Sequence, residues 1–198
     1  GTGKLARWFE QELPEGYRLW GVVRQQLLVH PDIPYTSHNS GACAVVDGPD
    51  SSGLDLLIRR AEQHIERHFI PGSDPGLCVA EEGAAALPAL AAFGRRAASV
   101  VVDQGEAAAA ARGVHLSGHG GTCGGVIGAA ASVGLTALGW SGRLIEYRGL
   151  LRAMPSLVEV ARLEAVGIGV LSVDRDAPVP GPGDWVNTAL SIMGNAGL

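Results

Sequence analysis

Apolar residues recur three and four apart over 54–69, at Leu54, Leu57, Ile58, Ala61 and Ile65. That spacing predicts a helix with one buried face. A second helix is predicted over 3–13, with Leu5, Trp8 and Phe9 on one face, Thr2 as cap, and Pro14 and Gly16 as terminators. Branched and aromatic runs predict strands at 17–29 ("YRLWGVVRQQLLV"), 42–46 ("ACAVV") and 77–82 ("LCVAEE"). The segments between them, 30–41, 48–53 and 71–76, are rich in Pro, Gly, Asn and Ser and read as loops. Further on, alanine-rich helices are expected at 84–98 and 103–112 and a helix at 126–133. A strand at 143–148, a short helix near 157–166, a strand at 167–174 and a rigid loop at 177–185 complete the reading.

The first 82 residues therefore read α-β-β-α-β. The ferredoxin-like unit is β-α-β-β-α-β, so a further strand is expected upstream of Gly1 in the natural protein. The expected class is α/β in the α+β sense. It has two parts: a ferredoxin-like half over 1–82 lacking its first strand, and a second α/β half over 83–198.

The chain has 198 residues, 46% of them apolar and 18% charged, enough to build a core. The net charge is −5, Lys4 is the single lysine, and basic residues cluster no further than Arg59-Arg60 and Arg95-Arg96. Nucleic-acid affinity rests largely on neutralised phosphates, so tRNA is not an expected partner for this chain alone. Three well-separated cysteines (Cys43, Cys78, Cys123) make no disulfide framework and fit a reducing cytoplasm. The start carries no signal peptide. Residues 120–142 are uncharged, but their Gly, Ala, Ser and Thr content fits a buried helix rather than a membrane span. Gly/Ala-rich helices permit a homodimer; nothing in the sequence demands one.

The densest chemistry lies in "HLSGHGGTCGGVIGAA", His115 to Ala130. His115, His119 and Cys123 stand four apart, which would align them for a metal on a helix. The intervening glycines disfavour that helix, and no CxxC or HExxH accompanies it. Five glycines within eight residues (Gly118, Gly120, Gly121, Gly124, Gly125) lead into the 126–133 helix, which itself carries Gly128. Backbone N–H groups in such a loop, with Thr122 adding a hydroxyl, suit a phosphate. Glycines serving only close helix packing are the equal alternative. "HIERH", His64 to His68, has histidines at i and i+4, but its Glu66 lies between them and not where either zincin pattern needs it. An amphipathic helix with partly exposed histidines is the expected reading. "GTGKL" resembles the end of a P-loop with Leu5 where Ser or Thr is required; a bound anion would explain Lys4 near a helix N-terminus.

Four stretches together resemble one family. "IPYTSHNSGACAVV" (Ile33 to Val46), "PGLCVAEE" (Pro75 to Glu82), "GGVIGAAASVG" (Gly124 to Gly134) and "RLIEYR" (Arg143 to Arg148) occur in the order seen in the archaeal tRNA-isoleucine agmatidine synthetases and their small bacterial relatives. The resemblance spans roughly residues 1–185. It implies an ATP- and magnesium-dependent enzyme with a ferredoxin-like part and a kinase-like part. In the family a cytidine oxygen is activated by phosphorylation and agmatine displaces the phosphate. It also implies an Asp-Asp-x-Asp strand for magnesium ahead of Gly1. The family's OB-fold and zinc ribbon have no counterpart here, and Arg143, Glu146 and Thr36 to His38 depart from its pattern, so a small-molecule acceptor is expected.

By this resemblance, Gly118, Gly120, Gly121, Thr122, Gly124, Gly125 and Gly128 would hold the nucleotide. Lys4 would neutralise phosphoryl charge and His115 would serve as a base. Tyr35, Thr36, Asn39, Glu146 and Arg148 would bind substrate. The expected activity is an ATP/Mg2+-dependent phosphotransferase or amine ligase acting on a small molecule. The alternatives are a non-catalytic nucleotide- or ligand-binding module and a metal-binding protein using His115, His119 and Cys123.

Overall fold

The computed structural model describes residues 1–35, 38–49, 51–139, 141–189, 191 and 193. The chain opens with helix α1 (Thr2–Trp8), which tightens into a 3-10 turn at Phe9–Glu12. The helix expected over 3–13 thus changes character midway. Leu13 is already extended, as the residue before Pro14 must be. Strand β1 (Arg18–Gln26) pairs antiparallel with β2 (Ser40–Asp47), and helix α2 (Leu54–His68) and strand β3 (Gly76–Val79) follow. Then come α3 (Leu87–Ala97), α4 (Gln104–Ala110), β4 (His115–Gly118) and α5 (Gly125–Ala137). The chain continues through β5 (Arg143–Tyr147), β6 (Leu157–Glu159), α6 (Val160–Glu164) and β7 (Trp185–Asn187).

This is an α+β fold with three small antiparallel sheets. The largest has the order β2-β1-β5, and β3 pairs with β4 and β6 with β7. Strand β3 joins β4 rather than the β1–β2 pair, and the third place in the main sheet goes to β5. Among the described residues β2 and β3 each keep one edge without a strand partner. The strand expected at 167–174 does not form. Leu171 and Val173 there are largely exposed, Gly167 has φ +82, and no described strand offers them a partner. Trp185, expected at the end of a rigid loop, instead starts β7.

The core lies where α3, α4 and α5 meet β3, around Leu90, Phe93, Ala97, Ala107, Ala130, Ala131 and Leu135. Helix α4 begins with a capping box: the Asp103 side chain accepts from the Glu106 N–H, and Glu106 reaches back to the Asp103 N–H. Helix α5 has no polar face to speak of. Its middle, Ala130 to Ser132 and Gly134 to Thr136, is buried. It packs on α3, β3, β2, α4 and β4, and its small side chains set how closely. A Cβ on Gly134 would stand 2.0 Å from the Leu90 carbonyl oxygen, and one on Gly94 would stand 2.8 Å from that of Ala131. On β1, buried Gln25 donates to the Thr136 hydroxyl (3.1 Å) and accepts from the Ser141 hydroxyl (3.0 Å). That network ties the main sheet to the end of α5. No helix among the described residues is long and apolar enough to cross a membrane.

Replacing Gly134 with Ala should test the α3–α5 contact. Helix propensity alone favours Ala by roughly 1 kcal/mol. The contact with Leu90 reverses the sign, and a net loss of about 1–3 kcal/mol is expected, as for an overpacked core. Urea unfolding reads this directly; a stabilised variant would show that the two helices do not touch there.

Candidate functional site

The glycine-rich stretch divides into three. His115 to Gly118 form β4, residues 119–124 make a tight turn, and α5 starts at Gly125. The turn is fastened to the segment that leads into β3. The His119 N–H donates to the Pro75 carbonyl at 2.8 Å. The Gly124 N–H donates to Asp74 Oδ2 at 2.8 Å, and the Thr122 hydroxyl donates to the same oxygen. The Gln104 side chain holds the Thr122 carbonyl at 2.9 Å. Burial works against a charge on Asp74. Hydrogen bonds from the Thr122 hydroxyl and from the backbone N–H groups of Gly124, Cys123 and Thr122 outweigh it and hold the carboxyl below its ordinary value. The turn is therefore an anion cradle, and the anion in it is the chain's own carboxylate. Asp74 Oδ1 is buried and has no hydrogen-bond partner.

Why the chain folds this way is visible at two glycines. A Cβ on Gly76 would stand 2.4 Å from the Val126 nitrogen, and one on Gly125 would stand 2.0 Å from the Asp74 carbonyl oxygen. Only bare backbone on both sides brings β3 and the α5 N-terminus together.

A groove of about 2230 Å3 runs between α1, β2, α2, β3 and α5. Of the residues singled out from the sequence, Lys4, Tyr35, Asn39, Thr122, Gly124, Gly125 and Gly128 line it, and Asp74 lies among them. Lys4 is exposed, with its ammonium 4.3 Å from the centre of the Trp8 ring. The Asn39 side chain donates to the Leu28 carbonyl at 2.7 Å and so fixes the mouth of the β1–β2 loop. Thr36 lies outside the described residues. Cys43 and Cys78 also line the groove. Burial pushes their thiols up to about 11 and about 12, so neither is a thiolate nucleophile at neutral pH.

Other singled-out residues lie elsewhere. Gly118 packs on Cys123, Gly120 packs on residues 73–75, and Gly121 faces open space. Glu146 is buried on β5, where its carboxylate accepts from the Tyr147 N–H at 2.9 Å. Arg148, with φ 47, sits over the Tyr147 ring. Neither of these two lines the groove.

His115 is also outside the groove and belongs to a polar chain that the sequence did not suggest. Residues 115, 117 and 119 share one side of the extended segment, and Glu62 and Glu66 share one face of α2. His115 Nε2 lies 2.9 Å from Ser117 Oγ and 3.3 Å from Glu62 Oε1. Ser117 Oγ lies 2.8 Å from His119 Nε2, and His119 Nδ1 lies 3.7 Å from Glu66 Oε1. One assignment satisfies all of these: the His115 Nε2–H donates to Ser117 and Glu62, the Ser117 hydroxyl donates to His119 Nε2, and the His119 Nδ1–H faces Glu66. The i, i+4 spacing of His115, His119 and Cys123 has no helix beneath it. Among the described residues, the one group of three potential ligands that converges is Glu12, His64 and His68. His64 is buried, not partly exposed as its helix suggested.

No family model matches the chain, and no curated protein matches it. Among solved structures it is similar to one described as the crystal structure of a tRNA fluorescent labeling enzyme, at 26% identity and a TM-score of 0.54. The likeness covers 67% of this chain and 32% of that one, so the chain spans about a third of the length of the protein it resembles.

Asp74→Asn should loosen the turn, because a charged acceptor of several hydrogen bonds becomes a neutral group. A loss of about 1–3 kcal/mol is expected at neutral pH. The folded carboxyl has the lower pKa, so its contribution is present above the unfolded value and disappears as the pH falls through the folded one. Melting temperatures of the two proteins should therefore differ at pH 7 and converge in strong acid. Parallel curves at all pH values would exclude this role for Asp74.

Proposed function

We propose that this chain is the nucleotide-binding part of an ATP- and magnesium-dependent phosphotransferase or amine ligase. It would activate an oxygen of a small-molecule acceptor by phosphorylation, after which an amine displaces the phosphate. The observation that carries this reading is the gathering in one groove of Lys4, the α5 N-terminus and Asp74 with an unpartnered oxygen. The likeness to a tRNA labeling enzyme supports an enzymatic role connected with nucleotides.

The residues present suit the groups this chemistry needs. Magnesium takes hard oxygen ligands and is usually held by one or two carboxylates plus phosphates. Asp74 Oδ1 is an orphaned acceptor of that kind. Bound ATP would supply the phosphoryl group, and magnesium would screen its charge. Lys4 would leave the Trp8 ring to meet the phosphates, as a lysine does in other phosphoryl-transfer sites. The partial positive charge at the start of α5 would add to this, where Gly128 keeps the groove-lining surface free of a side chain. Tyr35 and Asn39, which also line the groove, would orient the acceptor. The work is positioning and electrostatics.

A second reading, with a tRNA acceptor, draws on the neighbour's description alone. At a net charge of −5, this chain would need phosphate contacts from elsewhere.

Thermal melting with and without Mg·ATP is the test. Saturation at a hundred times the dissociation constant adds about 2.7 kcal/mol, which is roughly 5–10 °C for a chain of this size. The rise should require magnesium; no shift at millimolar nucleotide would reject the reading. Gly128→Ala then locates the site. Its Cβ would meet only a Leu27 methyl at 3.8 Å, so stability should hold or rise by about 0.5–1 kcal/mol while nucleotide affinity falls. Unchanged affinity would remove α5 from the site.

A further inference from the structure

Helix α2 places His64 and His68 four residues apart on one face, with ring centroids 4.8 Å apart. Glu12 ends the 3-10 turn after α1 and closes on them. One ligand atom from each of the three residues lies within 4.8 Å of the others. With Trp8 and Gln11 they line a small cavity of about 240 Å3, and the two histidines also border the groove described above.

The decisive group is the His64 ring, which is 3% exposed. Its Nε2 lies 2.9 Å from the Leu5 carbonyl oxygen. A carbonyl only accepts, so Nε2 carries the hydrogen. Nδ1 is buried and has no hydrogen-bond partner. Burial, the proximity of His68 and that of Arg67 disfavour a charge on the ring, against the Leu5 carbonyl and Glu12, and the net direction is downward. The neutral ring therefore presents a bare lone pair at Nδ1. An unmet buried acceptor costs about 1–3 kcal/mol. A histidine whose other N–H is fixed by a backbone carbonyl is the arrangement that metal-bound imidazoles adopt.

We propose that Glu12, His64 and His68 form a binding site for a divalent transition metal of the zinc class, with His64 ligating through Nδ1. Two imidazoles and one carboxylate suit zinc, cobalt or nickel and not magnesium or calcium. Tetrahedral ligands at zinc distances stand ~3.4 Å apart, so the exposed His68 and the Glu12 carboxylate must close in by a change of rotamer. Arg67, 3.2 Å from Glu12 and half-exposed, can stay on the outer oxygen and orient the carboxylate. Phe9 at 5.5 Å from the His64 ring and Trp8 at 6.0 Å from the His68 ring wall the site with apolar groups. Three protein ligands leave a fourth position for water or an incoming group. The metal would clip the α1 segment to α2, so binding adds directly to stability.

The test uses the whole chain, stripped with a chelator and titrated with zinc by calorimetry and with cobalt(II) by absorption. The expected result is one zinc per chain, a raised melting temperature and the visible bands of tetrahedral cobalt. His68→Gln, on an exposed side chain, should keep the fold and weaken zinc binding by at least ~10-fold. His64→Gln should do the same where it folds. Absence of binding at micromolar zinc would overturn the proposal. So would undiminished affinity in His68→Gln, or binding that is lost in His115→Gln and kept in His68→Gln.

Discussion

The close approach of α5 to the backbone of its neighbours is the constraint on which the rest depends. Its Gly125 meets Gly76 of β3, its Gly128 and Ser132 meet Gly41 of β2, and its Gly134 meets Leu90 of α3. A Cβ on Gly41, Gly76, Gly125 or Gly134 would stand closer than 3 Å to the facing atoms and push α5 off its neighbours. The resulting packing places two sheets and one helix pair around a single rod, because interiors at crystal-like density transmit a shift in one element to the next. It also explains why α5 carries so few large aliphatic residues and is still the most buried helix of the fold.

The same constraint produces the site. With β3 held against the first turn of α5, the residue two before Gly76 lies beside the turn that precedes the helix, and that residue is Asp74. Its carboxylate collects the N–H groups that a glycine-rich turn would otherwise turn toward solvent or ligand. The cradle is thus preorganised by an internal anion, and the partial charge of the α5 N-terminus is partly met already. Asp74 with its unpartnered Oδ1 and the exposed Lys4 both line the groove, one a fixed acceptor and the other a cation. A metal-bound anion fits that combination better than a bare phosphate.

Much of the fold was legible in the sequence, because it depends on period. Leu54, Leu57, Ala61 and Ile65 announce α2, and the branched runs announce β1 and β2. What was not legible was pairing. "LCVA" reads as a strand, but nothing in it says that its partner is "HLSG". The alternation of His115, Ser117 and His119 went unread, because the spacing of His115, His119 and Cys123 was weighed only against a helix that the glycines disfavour. "GIGVLSVD" failed for the opposite reason: it has strand composition but pairs with no described strand. At the site, Lys4, Asn39, Gly124 and Gly128 were singled out from sequence and lie along one groove. Asp74 was not singled out, since an Asp before Pro in a loop is an ordinary turn residue until its contact with Gly124 is seen. Glu146 and Arg148 drew attention by resemblance, yet Glu146 is buried on β5 in the main sheet and Arg148 sits in the turn just after it, away from the groove.

Helix α2 shows how one segment can serve two polar systems without mixing them. At about 100° per residue, Glu62 and Glu66 lie within roughly 40° of each other, and His64 and His68 are displaced from them by about 200°. Ala61 and Ile65 fall in the sector between, and both are buried. The apolar seam therefore carries acids along one flank, facing His115 and His119, and imidazoles along the other, facing Glu12. Each histidine system meets carboxylates from a different element, which keeps two clusters of like groups from sharing one environment. The spacing that makes "HIERH" a poor zincin motif, with Glu66 between the histidines, is what directs Glu66 to His119, just past β4, and leaves His64 and His68 to the α1 segment.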